Sequence, residues 1–85
     1  MIKGKTKSGF KFEISKRVLD NYELMEVIAE ADENPMMIPK VLTMLLGESK
    51  KDLMEHVRED DGIVPADKMM EELADIFDSA NETKN

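Results

Sequence analysis

The apolar and polar residues of the chain follow a period of two near the amino terminus and a period near 3.6 afterwards. Phe10 and Phe12 alternate with charged residues, which is the pattern of a half-buried β-strand. Residues 2–7 alternate in the same way, and Gly9 can adopt the positive φ angle of a hairpin loop with a bulge. The pattern therefore predicts a β-hairpin over residues 1–14.

Helical spacing of the apolar residues predicts four helices after the hairpin. The first is expected over residues 16–31, behind an N-cap at Ser15, and the second over residues 36–46. A third helix is expected over residues 48–59 and a fourth over residues 65–80. The loops between them are short, which favours antiparallel neighbouring helices.

Length and pattern together indicate one domain, because a chain of 85 residues buries a single core. The domain is expected over residues 1–80, with the hairpin at residues 1–14 and a helical body at residues 15–80. Residues 81–85 are expected to form a disordered polar tail. The predicted fold class is α+β and mostly α, with an N-terminal β-hairpin followed by a compact bundle of about four short helices.

The composition excludes several classes of protein. The chain contains no cysteine, so disulfides, thiol catalysis and cysteine zinc sites are impossible. No apolar run approaches the roughly 20 residues that span a bilayer. The first residues also lack the apolar segment of a signal peptide. We therefore expect a cytoplasmic protein with no membrane partner.

Charge is distributed unevenly along the chain, whose net charge is −7. Residues 1–17 hold six basic residues and one acidic residue, whereas residues 18–85 hold six basic and 18 acidic residues. Because the acidic body repels phosphate, nucleic-acid binding would depend on the amino-terminal lysines alone. Lysines on a hairpin also protect its exposed edge from unwanted pairing, and we expect no nucleic-acid partner. These lysines are Lys3, Lys5, Lys7 and Lys11.

The acidic body leaves a second functional class open. A small acidic protein could regulate or inhibit a host factor, or mimic DNA, through the carboxylates of residues 18–85. The basic hairpin argues against this class, because it interrupts a DNA-like charge surface.

Residues suited to catalysis or metal binding are few. His56 is the only histidine, and a histidine with one nearby carboxylate gives too few ligands to hold a transition metal. Glu71 and Asp75 are one helical turn apart, but on a face expected to be solvated, whereas general acid catalysis needs a desolvating cleft. The acidic loop before Gly62 has unsuitable residues at the first and last positions of a calcium-binding EF-hand loop. We therefore expect no enzymatic activity and no cofactor.

Methionine is frequent, with eight in the chain against three phenylalanines and one tyrosine. Residues 35–47 are apolar around almost the whole circumference of a helix, so this helix belongs to the core or also faces a partner. Methionines at such spacing are most often core residues, yet flexible thioethers also form adaptable binding surfaces. Consecutive helical residues point about 100° apart. Each of the methionine pairs at residues 36–37 and 69–70 must therefore place one member at the surface.

The sequence thus predicts an adaptable apolar surface for a hydrophobic partner segment, rimmed by acidic side chains. The unpaired edge of the hairpin offers a second contact, through strand addition to another copy of the chain or to another protein. The residues expected to bind partners are Met36, Met37, Met44, Met69, Met70, Phe10 and Phe12.

Three segments of the chain resemble the small tail assembly chaperones of long-tailed, siphovirus-type phages and prophages of Gram-positive bacteria. They are IKGKTKSGFKF at residues 2–12, PKVLTMLLG at residues 39–47 and HVREDDGIVP at residues 56–65. In that family a lysine-rich strand pair precedes an acidic helical body, in this order and at about this length. The likeness covers about residues 1–80, and its motifs are signatures of a fold rather than of a catalytic site.

The resemblance implies a non-catalytic protein made late in infection in the host bacterial cytoplasm and absent from the mature virion. Members of the family are thought to bind the long, aggregation-prone tape measure protein, keep it soluble and help recruit tail-tube subunits. Many are also made as a longer frameshifted product, and the polar end at residues 81–85 could accept such an extension. The family defines no catalytic or metal-binding positions.

Overall fold

The computed structural model describes residues 1–83, with side chains described through residue 80. Two strands, β1 (Ile2–Lys5) and β2 (Lys11–Ile14), form an antiparallel hairpin. Five helices follow within the described residues: α1 (Lys16–Leu19), α2 (Tyr22–Glu33), α3 (Ile38–Leu46), α4 (Ser49–Val57) and α5 (Ala66–Thr83). This order confirms the predicted class, which is α+β and mostly α with an N-terminal hairpin.

The hairpin forms in the register that its alternating sequence favours. Gly4 pairs with Phe12, and both strands bury one face and expose the other. The Thr6 N–H donates a 2.9 Å hydrogen bond to the Phe10 carbonyl at the start of the turn. Gly9 adopts a φ of 95°, which is the left-handed conformation that this kind of bulged hairpin loop requires.

The helix predicted over residues 16–31 is two helices, α1 and α2, which are separated by Asp20 and Asn21. The backbone of Asn21 is extended, and its side-chain oxygen accepts a 3.0 Å hydrogen bond from the Glu23 N–H. An asparagine in this position starts a new helix, because it satisfies an N–H that the first turn leaves without a partner. The hairpin is therefore followed by five helices, for which the apolar periodicity predicted about four.

Side-chain hydrogen bonds also occur just before α3 and just after α4. A 3₁₀ turn, Pro35–Met37, precedes α3, and Asn34 caps it by accepting a 3.2 Å hydrogen bond from the Met36 N–H. α4 ends before Arg58, whose backbone is extended and whose guanidinium donates a 2.7 Å hydrogen bond to the Gly62 carbonyl. Both helices are shorter than their apolar periodicity predicts.

α5 extends further than expected. It continues through Thr83, three residues into the segment predicted to be a disordered polar tail. Neither proline nor glycine interrupts the chain there, so nothing in the sequence breaks the helix at residue 80. The rest of that predicted tail, residues 84–85, lies outside the described residues.

One core joins the hairpin to the helices. β1 lies against α5 and β2 lies against α3, which covers the inner face of a two-stranded sheet that would be marginal alone. The radius of gyration is 12.5 Å, close to the value of about 12 Å expected for one compact domain of this length. The most deeply buried large side chains come from β2 and four of the helices: Ile14, Leu24, Val41, Leu42, Leu53 and Ile76.

No helix within residues 1–83 combines the length and the hydropathy needed to cross a membrane.

Candidate partner-binding groove

The two methionine pairs each divide between the interior and the surface. Met36 is 82% exposed, whereas Met37 is half-buried against the core. In α5 the pattern repeats, with Met69 at 8% exposure and Met70 at 45%. The angular spacing of consecutive helical residues accounts for this division. Two large thioether side chains are therefore exposed to solvent, where they are accessible to a partner.

A groove with a volume of about 450 Å³ connects these exposed methionines. Its walls come from the 3₁₀ turn, from α3 and α4, from the loop before α5, and from the first turns of α5. The walls are almost entirely apolar, and four methionines contribute to them: Met36, Met54, Met69 and Met70. Because thioethers are flexible and polarisable, such walls can adjust to apolar side chains of different shapes.

Local sequence places Met36 at one end of this groove. Asn34 caps the 3₁₀ turn and Pro35 supplies the fixed φ of its first residue. The short turn aims Met36 outward before the longer apolar helix α3 begins at Ile38. Helix α5, which also lines the groove, starts after Pro65, whose carbonyl accepts a 3.1 Å hydrogen bond from the Met69 N–H. A capped turn and a helix start thus fix both walls.

Lys50 is the charged residue that lines the groove. Its ammonium donates a 2.9 Å hydrogen bond to the Thr43 hydroxyl and a 3.4 Å hydrogen bond to the Pro39 carbonyl. The sequence predicted a rim of acidic side chains, but the charge contributed directly to the lining is positive. A partner segment could therefore place a carboxylate beside Lys50 while its apolar residues occupy the groove.

The other residues predicted to bind partners do not line this groove. Met37 and Met44 are half-buried and lie against the core. Phe10 and Phe12 are 8% and 3% exposed, because the inner face of the hairpin is covered by helices. Their contribution is to the stability of the domain, which corrects the expectation that their rings are available to a partner.

The sequence analysis missed both of the residues that α4 contributes to the groove. Met54 lies at helical spacing with the other apolar residues of α4, a pattern that predicts burial. Its side chain is nevertheless only partly buried. Lys50 precedes these apolar residues, and no pattern in the sequence marks it as part of a groove. Both lie in α4, whereas the predicted surface drew on α3 and α5, so only the tertiary arrangement brings the three segments together.

A polar cluster at the hairpin turn forms a second constellation, which we call the Glu72 cluster. Glu72 is 4% exposed, and its two carboxylate oxygens accept 2.8 Å hydrogen bonds from the hydroxyls of Thr6 and Ser8. The Phe10 N–H donates to the Thr6 hydroxyl at 3.2 Å, and Nε2 of His56 lies 3.1 Å from the Ser8 hydroxyl. The cluster therefore fastens the turn of the hairpin to α4 and α5.

The number of hydrogens that each side chain of the Glu72 cluster can donate determines which group is the donor in each contact. Ser8 has one hydroxyl hydrogen, which it gives to Glu72, so the contact with His56 requires Nε2 of His56 to donate. The same Nε2 lies 3.2 Å from the Ser8 carbonyl, a second acceptor. His56 therefore does not act as a base toward Ser8, and the carboxylate contacts the serine rather than the imidazole. This arrangement suits structural support and differs from that of a nucleophilic triad.

The sequence contains a signal for the buried carboxylate. Glu72 is three residues after Met69 and four before Ile76, so it lies on the apolar stripe of α5. Asp75 also departs from the expected solvated face, because its side chain is 16% exposed and accepts a 3.2 Å hydrogen bond from the Lys7 N–H.

Among residues 1–83 no group of three or more histidine, aspartate or glutamate side chains is arranged to hold a metal ion. The groove described above is apolar and has one cation, Lys50, in its lining. When the chain is compared with protein-family models, with curated proteins and with solved structures, no match is found in any of the three.

Proposed function

We propose that this chain is a phage tail assembly chaperone that acts in the host cytoplasm through non-catalytic protein–protein contact. It binds the tape measure protein and helps recruit tail-tube subunits during tail morphogenesis, and it leaves before the tail is complete. The proposal combines the resemblance of residues 2–12, 39–47 and 56–65 to that family with the physical character of the groove.

The observation that carries the proposal is the methionine-lined groove of about 450 Å³. An amphipathic helix of a client can lay its apolar face into a groove of this kind, with anchor residues one turn apart. Met36 and Met70 are exposed in the free chain. Full burial of a methionine side chain contributes about 1.5–3 kcal/mol, so covering both provides a substantial part of a micromolar affinity.

The charge of the chain suits a protein that keeps an aggregation-prone client in solution. The net charge of −7 keeps complexes apart by repulsion. Lys50 at the groove offers one fixed cation, so a client helix with a carboxylate next to its apolar face would be oriented on binding.

A small acidic regulatory or inhibitor protein is the second candidate, favoured by the exposed carboxylates of α2. Glu23, Glu26, Glu30 and Glu33 are all exposed on this helix. The lysines of the hairpin and the apolar groove fit this class less well, because neither contributes to a continuous acidic surface.

An affinity pull-down from a lysate of the induced lysogen or infected host tests the proposal. The chain serves as bait beside a Met36→Asp/Met70→Asp variant, and captured proteins are identified by mass spectrometry. The expected result is recovery of a very long, coiled-coil-rich phage protein with tail-tube protein, and loss of both with the variant. Recovery of a host polymerase, nuclease or repressor instead would overturn the proposal in favour of the inhibitor class.

A further inference from the structure

The outer edge of β2 carries backbone groups that no other element uses. In an antiparallel hairpin, hydrogen-bonded residue pairs alternate with pairs that are not hydrogen-bonded. Thr6 and Phe10 form a hydrogen-bonded pair, so Gly4 and Phe12 form the next one. The N–H and C=O groups of Lys11 and Glu13 consequently point away from β1. Within the described residues, no hydrogen bond to another element reaches these groups.

The space beside this edge is open. A groove of about 650 Å³ runs along the hairpin, and both strands line it, with Lys3 and Lys5 on β1 and Lys11 and Glu13 on β2; Ser49 and Asp52 of α4 complete the lining. Among the residues that the structure describes, no backbone hydrogen bond joins α4 to the outer edge of β2. An additional strand has room to approach β2 and use its free backbone groups.

When the β2 edges of two copies are paired, their opposite charges can face each other. In an antiparallel pair of two β2 strands centred on Phe12, Lys11 of one copy lies directly opposite Glu13 of the other copy. This register uses the outward backbone groups of both residues, so ladder geometry and charge pairing agree. The edge of β1 lacks this property, because the outward residues there are Lys3 and Lys5 and would face each other as like charges.

Lys11 lacks an oppositely charged partner within its own hairpin. It lies opposite Lys5 within the hairpin, a like-charge pair that destabilises the strand pair. Lys3 and Glu13, by contrast, form an ion pair of 3.3 Å. Within residues 1–80 no ion pair involves Lys11. A carboxylate from a second copy would therefore give this lysine a partner that its own chain does not supply.

We propose that two copies of this chain associate through antiparallel pairing of their β2 strands, in the register centred on Phe12. The product is a four-stranded sheet in the order β1–β2–β2–β1 with a twofold axis perpendicular to it. Both helical bodies lie on the same face of that sheet, and the contact is isologous and closed. This contact does not involve the methionine-lined groove, so a test of the pairing does not depend on whether the proposed function is correct.

Sedimentation velocity over a range of protein concentrations tests the pairing. The wild-type sedimentation coefficient is expected to rise with concentration. Lys11→Glu alone, which places like charges opposite each other across the interface, is expected to remain monomeric at every concentration, as is Glu13→Lys alone. An equimolar mixture of the two variants is expected to associate again, because every cross-strand pair then carries opposite charges.

The control Lys16→Glu makes the same charge change at an exposed residue outside the strands, and it should associate like the wild type. Within the hairpin, Lys11→Glu replaces a like-charge pair with Lys5 by an opposite-charge pair, so loss of association cannot be ascribed to loss of the hairpin. A concentration-independent wild-type monomer would overturn the proposal and leave the edge to a strand of another protein. Association that survives Lys11→Glu would overturn it as well.

Disulfide trapping tests the register directly, because the native chain contains no cysteine. Directly opposite residues in a hydrogen-bonded pair have Cα atoms about 5.5 Å apart, within the range of about 4.4–6.8 Å that a disulfide spans. A mixture of Lys11→Cys and Glu13→Cys variants should therefore form a mixed disulfide dimer under mild oxidation. A mixture of Lys3→Cys and Lys5→Cys should not, and equal trapping in both mixtures would contradict the register.

Discussion

The Thr6 hydroxyl donates a 2.8 Å hydrogen bond to the Glu72 carboxylate and so joins the hairpin to α5 across 66 positions of sequence. Ser8 donates to the second oxygen of the same carboxylate at the same distance. A carboxylate this deeply buried is tolerated because hydroxyl donors replace the water it has lost. The Glu72 cluster is thus a polar contact on which the position of the hairpin depends.

Replacement of Glu72 by alanine should destabilise the domain by about 2 kcal/mol, because it removes the carboxylate that accepts hydrogen bonds from both the Thr6 and the Ser8 hydroxyls. Urea unfolding followed by circular dichroism measures this change. Glu71→Ala is the matched control, since Glu71 is the exposed neighbour on the same helix and should shift stability by less than about 0.5 kcal/mol. Equal effects of the two substitutions would contradict a specific role for Glu72.

Gly4→Ala should destabilise the hairpin although the φ of Gly4 is not positive. At such a site alanine usually stabilises a protein by reducing the entropy of the unfolded chain. Here an added Cβ would lie 2.5 Å from Cζ of the Phe12 ring, and relief of that overlap costs about 1–3 kcal/mol. Thermal unfolding measures the sign of the change.

A double-mutant cycle attributes the cost of Gly4→Ala to the Phe12 ring. In a Phe12→Leu background the ring atoms nearest the new Cβ are gone, so Gly4→Ala should cost much less there than in the wild type. An identical cost in both backgrounds would show that the close approach of Gly4 to the ring is not the cause.

Asn21→Ala should destabilise the domain by about 1 kcal/mol, because the Glu23 N–H at the start of α2 loses its acceptor. Chemical denaturation measures this loss. Asp20→Ala is the control, since Asp20 is also exposed and caps no N–H with its side chain. If Asp20→Ala proved the more damaging substitution, the division between α1 and α2 would need another explanation.

Met36→Asp/Met70→Asp should abolish binding of the captured client and leave the helical circular dichroism spectrum unchanged. Both side chains line the groove and are exposed in the free chain, so charges there disturb a partner and not the core. Met25→Asp is the control, because Met25 is 60% exposed on α2 and does not line the groove. Client binding that is equally weak in both variants would point to a general effect of added charge.

The fold was largely predictable, because the two periods of the apolar pattern distinguish the hairpin from the helices. The break at Asp20 and Asn21 was missed for a physical reason. Val18, Tyr22 and Met25 follow helical spacing across this break, and a capping hydrogen bond leaves no trace in that periodicity.

The groove was predictable only in part. The paired methionines indicated that Met36 and Met70 could face solvent, because two neighbours on a helix cannot both point inward. The contributions of Lys50 and Met54 depend on how α4 lies against α3 and α5, which is a tertiary relationship. Phe10 and Phe12 were assigned to a partner although the domain itself needs them, since a hairpin of four-residue strands must bury its inner face.

The contact of β1 with α5 also bears on how the chain folds during its synthesis. A ribosome makes β1 long before α5, so the hairpin emerges while the helix that covers it does not yet exist. Many domains begin to fold from the amino terminus as they are made, but contacts of such long range form late. A nascent chain that has not reached α5 therefore lacks the carboxylate to which Thr6 donates, and the hairpin reaches its final position only after α5 has been made.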